Sequence, residues 1–134
     1  MVTRLQIHES AENYLETILV LHNQKGTVRS IDIANELGFS KPTVSVAMKN
    51  LRENGYITVS PEGSISLLPA GQAIADKIYE RHTLITDLLV ALGVDPEVAA
   101  EDACRVEHVI SEESFAAIKA HARKNIPELL NNQK

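Results

Sequence analysis

The chain has 134 residues, enough for one large or two small domains, and with 44% apolar residues, 4% aromatic residues and no Trp its core must be built from Leu, Ile, Val and Ala. One cysteine excludes an internal disulfide and fits a reducing cytoplasm. No apolar run approaches the length of a membrane span, and the start "MVTRLQIHESAENYLE" turns polar and acidic too soon for a signal peptide. A net charge of −5 weighs against a nucleic-acid binder, since phosphate favours basic partners.

The pattern "SAENYLETILVLHNQKG" predicts a first helix that starts at Ser10 and stops at Gly26. "RSIDIANELGFSKPTVSVAMKNLRENG" reads as two short helices broken at Gly38. Ser30 is the expected cap of the first of these, and Ser40 of the second. Pro42 then sits in a first turn, where a missing N–H costs nothing. Val44, Ala47, Met48 and Leu51 recur at helical spacing until Gly55. In "YITVSPEGSISLL" the period falls to two: Ile57 and Val59 alternate with Thr58 and Ser60, and Ile65 and Leu67 with Ser64 and Ser66. Pro61, Glu62 and Gly63 supply the turn of a short hairpin.

Pro69 opens a long helix that Gly93 closes. Asp95 and Pro96 begin a further helix through "DPEVAAEDACRVEHVI", and Ser111 begins the last, "SEESFAAIKAHARKN", before a break at Pro127. The expected fold is mainly α. A winged helix-turn-helix over residues 1–70 is followed by a helical domain over 71–134.

Three helices and a hairpin are the order of a winged helix. Ala34 is small where two helices cross, Gly38 permits the turn, and Phe39, Val44 and Ala47 are expected to fill the junction. The recognition helix is then Ser40 through Lys49, its first turn facing the major groove. Ser40, Thr43 and Ser45 offer hydroxyls, and Lys41 and Lys49 offer charge. Pro42 and Val46 offer apolar contact to a thymine methyl. No Arg lies in this segment to grip guanine, so phosphate contacts and DNA shape should carry much of the affinity. Arg29 and Arg52 flank it as phosphate partners. Residues 1–70 hold six Lys or Arg against seven Asp or Glu, and the remainder seven against eleven. The acidity therefore gathers away from the DNA motif, where a divalent cation would relieve it.

"EDACRVEHVISEE" places thiol, carboxylate and imidazole within about one helical turn. On a continuous helix Cys104, Glu107 and His108 share one face, while Ala99, Ala103, Val106 and Ile110 form the core stripe on another. Asn13 and Glu16 share a face of the first helix. His82 falls on the inward stripe of Ile78, Ile85 and Leu89. Nitrogen, sulfur and oxygen donors at helical spacing suit a transition metal.

"AENYLETI", "IANELGFSKPTVS", "ERHTLITDLL" and "EDACRVEHVISEE" together resemble the diphtheria-toxin-repressor family of metal-dependent regulators, over nearly the whole chain. The resemblance implies a winged-helix domain, a dimerisation and metal domain, and metal ligands at Glu16, His82, Cys104, Glu107 and His108. Where the family usually has Met or Asp, this chain has Asn13, whose side-chain oxygen can ligate but brings no charge. The expected layout is that of the short manganese-type members, without the SH3-like domain of the larger iron-type ones. Iron-type members carry Cys at the position of Cys104. Their auxiliary site needs a carboxylate and a second histidine where this chain has Thr86 and Ala100, so no complete second site of that kind is expected. They also have Gln where this chain has Val46, so the operator should differ.

Cys104 favours Fe(II) over Mn(II), whereas the short layout points to manganese. The expected cofactor is Fe(II), with Mn(II) a close second, and other divalent transition metals should bind in vitro. The function this implies is a cytoplasmic homodimeric repressor that binds a palindromic operator in double-stranded DNA when metal is plentiful and controls metal-uptake genes. Two alternatives stay open: a winged-helix regulator that answers oxidation of Cys104, and a metalloenzyme. The second finds no nucleophile motif or phosphate loop in the chain.

Overall fold

The computed structural model describes residues 2–126, with side chains from Ser10 onward. The elements run α1 (Val2–Lys25), α2 (Ser30–Leu37), α3 (Lys41–Glu53), β1 (Ile57–Val59), β2 (Ile65–Leu67), α4 (Pro69–Ala91), α5 (Pro96–Val106) and α6 (Glu112–Asn125). They divide into two compact units, Met1–Asp76 and Lys77–Lys134. The break expected at Pro127 lies outside the described residues.

In the first unit, Leu15 and Ile18 of α1, Ile33 of α2, Val44 of α3, and Ile57 and Ile65 of the hairpin form one buried cluster. α1 does not start at Ser10. It begins at Val2, because no Pro or Gly precedes Ser10 to stop the helix from extending back. Gly26 ends it with φ 85°, a left-handed conformation that a side chain would strain.

The expected cap of α2 is also corrected: Ser30 is its first residue, and Arg29 is the cap. The Arg29 N–H donates to an Asp32 carboxylate oxygen at 2.9 Å, and Lys25 Nζ donates to the same carboxylate at 2.7 Å. These bonds, the Lys25 one foremost, hold the Asp32 carboxyl below the usual carboxylate range. Gly38 closes α2 with φ 71°, its N–H donating to Ala34 O. Phe39 does not fill the junction as expected. The residue is instead 45% exposed, and its ring meets Tyr14 edge-on at 6.1 Å, on the stretch between the end of α2 and the cap of α3.

Ser40 caps α3 as expected, its hydroxyl accepting from the Thr43 N–H, with Pro42 in the first turn. Val44, Met48 and Leu51 face the core. β1 and β2 pair antiparallel with Ile57 opposite Leu67 and Val59 opposite Ile65, and Gly63 makes the turn with φ 88°. The Ile65 N–H donates to Val28 O at 2.7 Å, which ties the hairpin to the α1–α2 connection.

The units divide at Asp76, six residues beyond the boundary expected at 70, because the first two turns of α4 belong to the winged helix. Ala75 is fully buried in its core, and Gly71 lies against the Tyr56 carbonyl so closely that a Cβ there would collide with the oxygen. Gly71→Ala should therefore destabilise the first unit by about 1–3 kcal/mol, although alanine favours helices, because a backbone carbonyl cannot yield as a side chain can. A chemical-denaturation curve checks this; an unchanged or raised midpoint would refute the close packing.

In the second unit, Leu84 and Ile85 of α4, Ala103 of α5, and Phe115 and Ala122 of α6 form the core. Asp95 caps α5 by accepting from the N–H groups of Glu97 and Val98. α5 ends at Val106, short of the expected Ile110. Ser111 must leave the helical region to cap α6, which it does with φ −70° and ψ 160°, so the chain tightens into a turn with Val109 N–H and Ile110 N–H both on Val106 O. Val106, expected in the core stripe, is 37% exposed as a result.

Candidate metal centre and nucleic-acid interface

α3 has two chemically distinct sides. Its apolar residues fill the core, whereas Ser40, Lys41, Pro42, Thr43, Ser45, Val46, Lys49 and Arg52 are all exposed, as is Arg29 at the cap of α2. Among the described residues no ion pair engages Lys41, Lys49 or Arg52. Arg29 reaches the hairpin: a Cβ on Gly63 would lie 4.0 Å from its Nη1. The first unit thus sets the four cations and three hydroxyls that the sequence singled out on its solvent side.

The second polar cluster gathers where α5 ends. Cys104 stands on the last turn of α5 with an exposed thiol, Glu107 caps the helix, and His108 lies in the turn that follows. One ligand atom of each lies within 4.8 Å of the others. Glu107 keeps helical geometry, φ −59° and ψ −25° with its N–H on Ala103 O, so the three groups meet as their spacing predicts although α5 itself stops at Val106. Glu107 is also not on a solvated face; its side chain is fully buried. His82 of α4 reaches it, Nδ1 lying 2.8 Å from Glu107 Oε2, and this ring is 29% exposed rather than wholly inward. Among the described residues Glu107 Oε1 makes no hydrogen bond, and it lies 3.3 Å from His108 Nε2.

A buried carboxylate is costly unless a cation or donors compensate it. Here one oxygen has an imidazole and the other has no hydrogen bond, while a second imidazole and a thiol stand beside it. That donor set fits a divalent transition metal. The auxiliary-site positions do not: Thr86 has a buried hydroxyl without a hydrogen-bond partner, and Ala100 offers no ligand.

Glu16 and Asn13 lie on α1 in the first unit. Glu16 is buried and lines a cavity of about 300 Å³ with Thr17, Val20, Glu36 and Leu37, and the Asn13 carbonyl accepts from the Thr17 hydroxyl. Arg81 is the residue that pattern-reading missed. It is buried, and its Nη1 donates to Glu107 O at 3.0 Å and to Ile110 O at 2.8 Å.

A winged helix with an exposed cationic face, followed by a helical unit with nitrogen, oxygen and sulfur donors, fits a DNA-binding regulator of the metal-responsive class. Residues 6–65 match the iron dependent repressor N-terminal DNA binding domain, and residues 68–124 match the iron dependent repressor metal binding and dimerisation domain. The chain belongs to this family of metal-dependent transcriptional repressors, whose members are regulators and not enzymes. It is 36% identical over 117 residues to the transcriptional regulator MntR of Salmonella typhimurium, covering 87% of this chain and 74% of that protein. It is 33% identical over 106 residues to the diphtheria toxin repressor of Corynebacterium diphtheriae, covering 78% and 47%. A solved manganese-dependent transcriptional repressor in complex with manganese superposes with a TM-score of 0.74 at 28% identity, covering 83% of this chain and 51% of that one. The chain spans about half the length of such solved relatives. Among the described residues no helix is long and apolar enough to cross a membrane.

Proposed function

We propose that this chain represses metal-uptake genes as a cytoplasmic homodimer, with Fe(II) as the activating ion ahead of Mn(II). The observation that carries the reading is the buried Glu107 carboxylate with His82, His108 and the Cys104 thiol around it. The thiol supports the preference for iron, since sulfur favours the later and softer ion. The family resemblance adds Glu16, and with less force Asn13, from α1. An ion that binds the DNA-competent arrangement better would make metal binding and DNA binding mutually dependent. A hundredfold preference of the ion for the DNA-competent arrangement would supply about 2.7 kcal/mol of coupling. Arg29, Ser40, Lys41, Pro42, Thr43, Ser45, Val46, Lys49 and Arg52, all exposed, would meet the operator, and a two-fold dimer would require half-sites about one DNA turn apart.

The test is a binding titration of anaerobic apo-protein against DNA fragments selected from random sequence with Fe(II) or Mn(II) present. Metal should tighten binding tenfold or more, and a chelator should reverse it. Equal binding without metal would leave a winged-helix protein of another kind. The exposed Cys104 thiol favours one such kind, a redox-responsive regulator. In that case Cys104→Ser would abolish an oxidant response that chelators do not touch.

A further inference from the structure

We infer that Arg81 is a positioning residue for this metal centre, its guanidinium fixing the turn that carries Glu107 and His108; the inference rests on the metal-dependent reading above. Where α5 stops at Val106, the carbonyls of the following turn lose their helical partners. Arg81 takes two of them with one nitrogen, Glu107 O and Ile110 O, which bracket His108. The guanidinium is held in turn by Phe115, whose ring centroid lies 5.4 Å from its central carbon, and the whole side chain is 6% exposed. Among the described residues its Nε has no hydrogen-bond partner, and the two carbonyls are the guanidinium's main polar anchor.

Arg81 and His82 are consecutive on α4. One grips the backbone of Glu107 and the other its carboxylate. Glu107 is therefore fixed at both ends by one helix. A metal site tolerates ligand errors of only about 0.5 Å, and partners that orient ligands commonly change metal affinity 10–100-fold. A lysine is a weaker substitute: its ammonium has donors enough for both carbonyls, but it sits on a flexible stem with no planar guanidinium to rest against Phe115 and fix its direction.

The buried positive charge of Arg81 also opposes the binding of a cation, so the two possible roles predict opposite signs. Co(II) is the probe, titrated anaerobically into the full-length wild-type, Arg81→Lys and Arg81→Met proteins, with absorption spectra recorded at saturation. If Arg81 positions the turn, both variants bind Co(II) at least tenfold more weakly, and their ligand-field spectra differ from wild type even when saturated. A residue that only stabilises the second unit would lower the apo melting temperature and leave the saturated spectrum unchanged, which overturns the inference. So does tighter Co(II) binding by Arg81→Met, or affinities within twofold of wild type in both variants. Should Arg81→Met fail to fold, Arg81→Lys decides alone, since it keeps the charge and most of the volume. Absence of saturable Co(II) binding by the wild-type protein would instead overturn the metal reading itself.

Discussion

Glu107→Gln should lower metal affinity by about a hundredfold or more, beyond what loss of an orienting partner costs, and with it abolish metal-stimulated DNA binding. Gln fills the same space and can still bond to His82, so the packing of the second unit survives. What disappears is the negative charge against which the two imidazoles and the thiol are arranged. The same substitution should leave the apo-protein as stable as wild type or more so, because replacing a fully buried carboxylate by a neutral amide removes a desolvation penalty. Wild-type protein at metal a hundred times its dissociation constant gains about 2.7 kcal/mol from binding, and the variant should gain almost none. Thermal melts with and without metal read both effects in one experiment. A variant that melts lower than wild type when apo, yet keeps the full metal-induced shift, would assign Glu107 to structure and remove it from the ligand set.

The opposite signs for the apo and metal-bound states follow from how the site is built, and that building is only partly legible in the sequence. Ser40, Pro42 and Gly38 mark the helix-turn-helix because caps and left-handed turns are local: each needs a residue type at one position and little else. The hairpin is readable for the same reason, since period-two alternation on both sides of Pro61–Gly63 matches paired strands and no helical face. The end of α5 is not. Val106, Val109 and Ile110 continue a helical period, and the competing signal is the cap at Ser111, whose requirement for extended backbone takes precedence. Spacing thus groups Cys104, Glu107 and His108 correctly, but it misses that α5 stops at Val106 and that Glu107 is buried. Arg81 is invisible for a different reason. Its two acceptors lie 26 and 29 residues away, and no periodicity encodes a carbonyl left open by a helix that stops early. Asp32 escapes notice because a carboxylate that reaches back to the cap's N–H matters more to the start of α2 than the hydroxyl of Ser30.

The recognition face carries the other large effect. If Arg29, Lys41, Lys49 and Arg52 each neutralise one phosphate, the logarithm of affinity should fall against the logarithm of salt with a slope of about −3.6 per subunit, so a fourfold rise in salt costs about 150-fold in affinity. Arg29→Ala and Arg52→Ala should each make that slope shallower by about 0.9 and weaken all DNA sequences alike. Val46 should behave differently. It is 60% exposed in the middle of α3, carries no charge, and can meet a base edge only through apolar contact. Val46→Gln should leave the slope unchanged and alter which sequences are preferred, by about 1–3 kcal/mol at a single base pair, because it replaces methyl contact with a bidentate amide. The net charge of −5 then presents no paradox: the first 70 residues are near neutral, and Arg29, Lys41, Lys49 and Arg52 among them are exposed. Salt titrations of metal-loaded protein on a selected operator and on a scrambled one separate the two classes. Equal slopes for wild type and Arg52→Ala would remove Arg52 from the interface, and a Val46→Gln protein with unaltered preference would place the base-reading contacts nearer the start of α3, at Pro42 and Thr43.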